Sequence, residues 1–462
     1  MYSQRRERTM LQHGNGAVVP ATPTRRRFLG AAAAGAAAAA TPLLTGCGGP
    51  AKADGGTLKF WYFYDAHSPD PSDRARAKWF QDVVKDWNAD HEVKVELYYV
   101  PGDSYQGSKM VTAFASEAGP DIFLLSPGDF LRYQNGGILA DLTPHMEKGV
   151  IEDYGSSLDS RMVDGKVYAL PMEVEPLAMY YNVPVWEKAG LSEADIPVTW
   201  DEMLDIGDKL RAKAGAGLVF QTDPGYYQNF TWYPWMWQGG GDVVDENGKV
   251  GFDSRAARQA LSLWQDAVQA GIAPRTMPAA DDLLTSFTSG LAGMWQSGIW
   301  EISGFRTSAP KHKYGVFKLP VPSGGKYTTV LGGWSFCAST QGRNPEIAAE
   351  FCAWALGGMN DESVNRTVDW CTSSKSDIAP RTSALERAAK KGGYDFWAMK
   401  KFKEEIFPGG RAEPRYPPVV YKAVSDAIQA TMLAGKGVAG ETDRAARSIE
   451  AFMQSYEGAS LI

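Results

Sequence analysis

Thr57-Leu58-Lys59-Phe60-Trp61-Tyr62-Phe63-Tyr64-Asp65-Ala66-His67 is the stretch on which the fold turns. Leu58, Phe60, Tyr62 and Tyr64 alternate with Lys59, Trp61 and Phe63, so both faces are largely apolar. A strand with two apolar faces belongs in the middle of a sheet covered on both sides. Downstream, Trp79, Phe80, Val83, Val84 and Trp87 recur at helical spacing and predict a helix over 73–89. Val93, Val95, Leu97 and Tyr99 alternate with polar partners as a second strand. A helix over 104–117 and the apolar strand Ile122 to Leu125 follow. This alternation predicts a parallel sheet with helices on its faces. Ligands of such sheets bind beyond the carboxyl ends of the strands. Those ends are Tyr64-Asp65-Ala66-His67 and Ser126-Pro127-Gly128-Asp129.

A second α/β region opens near Val174, with a strand over 177–181. Thr199-Trp200-Asp201-Glu202 has the form of a capping box, with Thr199 as N-cap of a helix to about Lys213. After a strand at 218–220 comes the densest aromatic stretch: Tyr226, Tyr227, Phe230, Trp232, Tyr233, Trp235 and Trp237. Asn247-Gly248 signals a hairpin turn, and Ser254 caps a helix to Ala270. Helices are predicted over 281–289, 299–306, 345–357, 383–391, 395–406 and 416–456. No internal repeat interrupts the pattern.

The 462 residues exceed one core and suggest two or three domains. A formal charge of -7 argues against nucleic acid as a partner, since phosphate binding needs a basic surface. No Gly-x-Ser-x-Gly elbow, His-Glu-x-x-His or P-loop is present. His67, His91, His145 and His312 are scattered, and no metal or other cofactor is expected. Cys337, Cys352 and Cys371 allow one disulfide plus a free thiol, or three free thiols.

Residues 1–46 read as an export signal. Arg25-Arg26-Arg27-Phe28-Leu29 resembles a twin-arginine motif, an Ala-rich run follows, and Leu44-Thr45-Gly46-Cys47 resembles a lipobox. The expected product is a protein outside the cytoplasm, anchored to the outer face of the cell membrane by a lipid on Cys47. Residues 47–56 form a Gly/Ala/Lys/Asp tether.

Blocks in a fixed order then carry a resemblance. They are Gly119-Pro120-Asp121-Ile122-Phe123, Gly137 to Leu142, Asp164-Gly165-Lys166-Val167-Tyr168-Ala169-Leu170-Pro171, Tyr180-Tyr181-Asn182, and Pro197 to Glu202. Phe287 to Gly290, Met294-Trp295, Gly298-Ile299-Trp300, Tyr314 to Pro320 and Gly332-Gly333-Trp334 complete the set. Together they resemble the family 1 extracellular solute-binding proteins, whose members include the maltose-binding protein. The resemblance implies an α/β periplasmic-binding-protein-like fold of two lobes. Each lobe would be a mostly parallel sheet flanked by helices, and crossing hinge segments would join them. One lobe would take 57–172 plus 333–380, the other 173–332 plus 381–462.

The implied function is a monomeric substrate-binding component of an ABC importer that passes a sugar or oligosaccharide to a membrane permease. Sugars present hydroxyls and flat C–H faces, which call for carboxylates, amides and aromatic rings. Strand ends offer Tyr64, Asp65, His67, Ser126 and Asp129. Glu173 is placed on the first crossing segment, and Trp300 at a position that stacks on sugar in the family. Tyr226, Tyr227 and Trp232 come from the aromatic helix. Gly333 and Trp334 bring backbone close, and Arg415 reaches in from the tail. Asp65 also fits a capping role, and Trp235 and Trp237 also fit packing. Two other readings remain open: a receptor of the same fold for a polyamine or peptide, and an exported glycan-degrading enzyme.

Overall fold

Apolar faces dictate two separate sheets. The computed structural model describes residues 56–245, 247–277 and 283–461. The expected export signal, Cys47 and nearly all of the expected tether lie outside the described residues.

The strands are β1 (Leu58–Tyr62), β2 (Val95–Tyr99), β3 (Ile122–Leu125), β4 (Met162–Val163), β5 (Lys166–Val167), β6 (Leu170–Pro171) and β7 (Glu175–Asn182). They continue as β8 (Leu218–Val219), β9 (Met294–Gly298), β10 (Tyr314–Phe317), β11 (Thr329–Gly332), β12 (Ser335–Ala338) and β13 (Gly410–Ala412). The first sheet runs β2-β1-β3-β12-β6. The second runs β13-β11-β7-β9-β8, with β10 also on β7, while β4 and β5 pair as a small hairpin.

β1 is central, as its composition requires: Leu58, Phe60 and Tyr62 are buried, and Lys59 and Trp61 are half-buried. The helix Pro71–Asp90 starts where Asp70 caps it, its carboxylate accepting from the Ser72 N–H at 2.9 Å. Ala77, Phe80, Val83, Val84 and Trp87 form its buried face, and Phe80 meets Phe60 edge-on at 5.6 Å. The capping box closes as expected: Thr199 Oγ1 accepts from the Glu202 N–H, and Glu202 accepts from the Thr199 N–H.

Pairing sense departs from the mostly parallel expectation. β1 is parallel to β2 and β3, but β12 is antiparallel to both β3 and β6. In the second sheet β7 is antiparallel to β9, β10 and β11. A helical crossover within one sheet enforces parallel neighbours. β7 and β12 instead enter from the other lobe, so that constraint does not bind them.

The chain crosses between the sheets at Met172–Val174 and again at Gly333–Trp334. A third crossing was expected at 380. The structure keeps Arg381 with the first lobe, where its Nε pairs with Asp153 at 2.5 Å. The helix Thr382–Lys390 packs on the first lobe's Asp361–Asp369 helix, and the chain joins the second sheet's side only at Trp397–Lys401, beside β10. The buried Arg381–Asp153 pair is the physical reason. Most of the Trp excess is core: Trp87, Trp186, Trp232, Trp235, Trp264 and Trp370 are fully buried.

Candidate ligand-binding cleft

A cavity of about 310 Å³ lies between the two sheets. The first lobe supplies Phe63 and Tyr64 just past β1, Asp103 and Gln106 past β2, and Ser126 past β3. These are carboxyl ends of parallel strands, where an open sheet leaves its crevice. The second lobe supplies Glu175 at the start of β7, Gly332 at the end of β11 and Glu413 just past β13. Tyr226, Tyr227 and Phe230 come from the first turns of the helix Tyr226–Gln238, and Trp300 from the turn between β9 and the helix Glu301–Thr307.

At the base of the cavity the crossing segments are held together by charge. The Lys375 ammonium lies 2.9 Å from Glu173 Oε2 and 3.2 Å from Asp377 Oδ2, and also donates to Glu175 Oε1. All four side chains are buried. Glu173 further accepts from Trp370 Nε1 at 2.5 Å and from the Trp334 N–H at 3.1 Å. Glu173 alone thus ties the first crossing to the second and to the 370–377 segment. Carboxylate oxygens of Glu173, Glu175 and Asp377 lie within 4.8 Å of one another, a spacing suited to a metal. The Lys375 ammonium already supplies the positive charge there.

Three carboxyl groups share one ammonium, so protons must be retained. Burial opposes ionisation of Glu173, but Lys375 and its hydrogen bonds outweigh that and hold it below its usual range. Burial, reinforced by the charge on Glu173, pushes Glu175 up to about 7. Burial pushes Glu413 up to about 8, against the attraction of Arg161. Arg161 is buried and donates to the Gly333 carbonyl at 3.0 Å and to Ser335 Oγ. Two cleft carboxyls therefore change protonation near neutral pH, each able to donate as well as accept a hydrogen bond.

Aromatic rings form the walls. Trp300 is pinned by its own Nε1–H, which donates to Glu301 Oε1 at 2.9 Å. Its ring lies on Gly298, where a Cβ would fall 1.8 Å from it, so only glycine seats the ring. Trp334 packs on Phe63 at 4.6 Å. Gly333, with φ +126°, passes so close to the Glu173 carbonyl that a Cβ would lie 2.4 Å away.

Of the residues singled out from the sequence, Tyr64, Ser126, Tyr226, Tyr227, Trp300, Gly333 and Trp334 line this cavity. The others lie elsewhere. Asp65 turns back to accept from the His67 N–H at 2.8 Å, and His67 is exposed. Asp129 pairs with Arg132 at 3.1 Å. Glu173 sits one layer below the cavity. Trp232 is fully buried against Phe252. Arg415 donates to the Met162 carbonyl and lines a separate cavity of about 690 Å³ beside the Glu457–Ser460 segment. Sequence reasoning passed over Asp103, Gln106, Glu175, Lys375 and Glu413. The strand-end rule was open to use after β2, where Asp103 and Gln106 follow. Glu175 is a charge inside the apolar run Met172 to Tyr181, itself a signal. Lys375 and Glu413 carry no local mark.

The family model of the bacterial extracellular solute-binding protein matches residues 71–358. The arabinooligosaccharide-binding protein of Bacillus subtilis (strain 168) is 27% identical over 313 residues, 65% of this chain and 69% of that protein. The diacetylchitobiose binding protein DasA of Streptomyces coelicolor is 27% identical over 339 residues, 68% of this chain and 74% of that one. Among solved structures, an ABC transporter solute binding protein from Thermotoga lettingae, bound with alpha-D-tagatose, superposes with TM-score 0.71 at 21% identity, covering 86% of this chain and 99% of that one. The cyclic alpha-maltosyl-1,6-maltose binding protein of Arthrobacter globiformis gives 0.66 at 22%, covering 87% and 99%. The two-lobed fold is common to them and to this chain. With its motif blocks, its two sheets, its interlobe cleft and this match over most of its length, the chain belongs to the bacterial extracellular solute-binding protein family.

Proposed function

We propose that this protein captures a sugar or short oligosaccharide between its lobes and delivers it to the permease of an ABC importer. The cavity carries the reading: a floor of hydrogen-bonding carboxyls, Glu175 and Glu413, faces walls of Trp300, Trp334, Tyr227 and Phe230. Hydroxyl pairs suit the floor, and the apolar face of a pyranose suits the rings. The relatives named for binding oligosaccharides support the same ligand class. Tyr64, Ser126, Tyr226 and the Gly333 backbone complete the contacts in this reading.

The protein works as a monomer outside the cytoplasm, exported by the twin-arginine route and held at the membrane by lipid on Cys47. No helix among the described residues is long and apolar enough to cross a membrane. A double acyl anchor gives stable attachment where a single chain does not. Substituting Cys47→Ala releases the protein from the membrane fraction.

A thermal-shift screen of neutral saccharides, polyamines and short peptides tests the ligand class, with product analysis of the saccharides run beside it. Stabilisation by a saccharide recovered intact is expected. A shift with polyamines or peptides alone, or release of cleaved sugar, contradicts the proposal.

A further inference from the structure

Arg76 leaves the first lobe's Pro71–Asp90 helix and crosses the cleft mouth. Its Nη2 donates to the Trp300 carbonyl at 3.3 Å and to Ser303 Oγ, both in the second lobe. Ser303 Oγ in turn donates to the same carbonyl at 3.0 Å, closing a three-membered network around the Trp300 turn. Arg76 also lines the cavity, and its buried Nε finds no acceptor among the described residues. Two further bonds flank it across the mouth: Ser308 Oγ to Asp70 Oδ1 at 2.6 Å, and Tyr226 OH to Gln106 Oε1 at 2.9 Å.

We infer that Arg76 is the positioning residue that couples ligand capture to lobe closure, clamping the turn that carries Trp300 while keeping one guanidinium N–H for the ligand. The inference rests on the cleft reading above. A guanidinium has five donors in a fixed fork, so one side chain can hold two acceptors on the far lobe and still face inward. Because donor and acceptors belong to different lobes, these bonds exist only when the lobes meet. They therefore favour the closed arrangement before any ligand arrives. The buried Nε–H has no acceptor among the described residues, so an acceptor on a ligand in the cavity can bond to it while Nη2 holds the far lobe. Clamp and sensor are thus parts of one group.

Pulsed spin-label distance measurement between Lys85→Cys and Lys213→Cys, exposed on opposite lobes, reads the closed fraction without any saccharide. The remaining cysteines of the described residues are buried and do not compete for label. The unliganded parent is expected to show a short-distance population. Arg76→Ala should cut the closed-to-open ratio by roughly tenfold or more, the scale of a hydrogen bond to a charged group. Ser303→Ala should cut it less, and Arg76→Lys should fall between. These shifts should come at an unchanged melting temperature. A parent with no short-distance population, or variants whose distance distributions superimpose on the parent's, overturns the inference. If Arg76→Ala does not fold, Ser303→Ala carries the comparison. Since no sugar is present, a chain that bound no saccharide would sink the transport proposal and leave this result standing.

Discussion

Replacing Lys375 with Met removes the one cation among Glu173, Glu175 and Asp377 while keeping most of the buried stem. Breaking a buried ion pair from one side costs about 3–5 kcal/mol, because the partner charge stays behind. Here three carboxyls stay behind within 4.8 Å. The structure also sets the pH dependence. Glu173 is held ionised against burial by Lys375 and by its hydrogen bonds, so losing the ammonium should move its pKa upward. A carboxyl whose folded pKa lies above its unfolded value stabilises the fold below the unfolded pKa and loses that contribution as pH rises. Each carboxyl newly forced neutral therefore adds about 1.4 kcal/mol of destabilisation per pH unit above the ordinary carboxylate range. Urea denaturation of parent and Lys375→Met at pH 5 and pH 8 should show a loss of about 3 kcal/mol at the lower pH and roughly 4 kcal/mol more at the higher. Combining Lys375→Met with Glu173→Gln, Glu175→Gln and Asp377→Asn should recover most of the loss, since no charge is then stranded. A loss below about 1 kcal/mol, or one equal at both pH values, refutes the reasoning.

Trp300→Ala should weaken ligand binding by roughly tenfold to a hundredfold with a small change in melting temperature, and Trp300→Phe by less; calorimetric titration showing unchanged affinity removes Trp300 from the site. Glu413 is pushed by burial from 4.5 to about 8, so it contributes a loss of stability as pH rises through that window. Glu413→Gln should flatten the parent's slope by about 1.4 kcal/mol per pH unit in melts between pH 5 and 8, and an unaltered slope counts against the assignment. Gly333→Ala places a Cβ 2.4 Å from the Glu173 carbonyl at φ +126°, so it should cost about 2–4 kcal/mol in denaturant titration, and a neutral result contradicts the crossing geometry.

The local elements were legible because each obeys a period the sequence shows. β1 alternates, the helix after Asp70 repeats its aromatics at helical spacing, and Thr199 and Glu202 form their box. The sense of pairing was not legible, because β7 and β12 take their direction from the interlobe crossings rather than from neighbours in sequence. The third crossing was placed too early for a similar reason: the Arg381–Asp153 pair joins residues far apart in the chain. At the site, rules about strand ends located Tyr64 and Ser126, and motif order located Trp300, Gly333 and Trp334. The carboxyl floor was harder to see. Glu413 gains its place only when β13 pairs with β11, and Lys375 only when Val174 bridges Ile378. Trp232 shows the opposite error: an aromatic cluster reads as a surface until packing decides which rings face inward.

Isothermal titration calorimetry with purified neutral mono- and oligosaccharides tests the central claim most directly. Capture between two lobes predicts saturable binding of one saccharide per chain, lost or strongly weakened in Trp300→Ala. No binding heat with any saccharide, alongside one-to-one binding of a polyamine or a peptide, contradicts it.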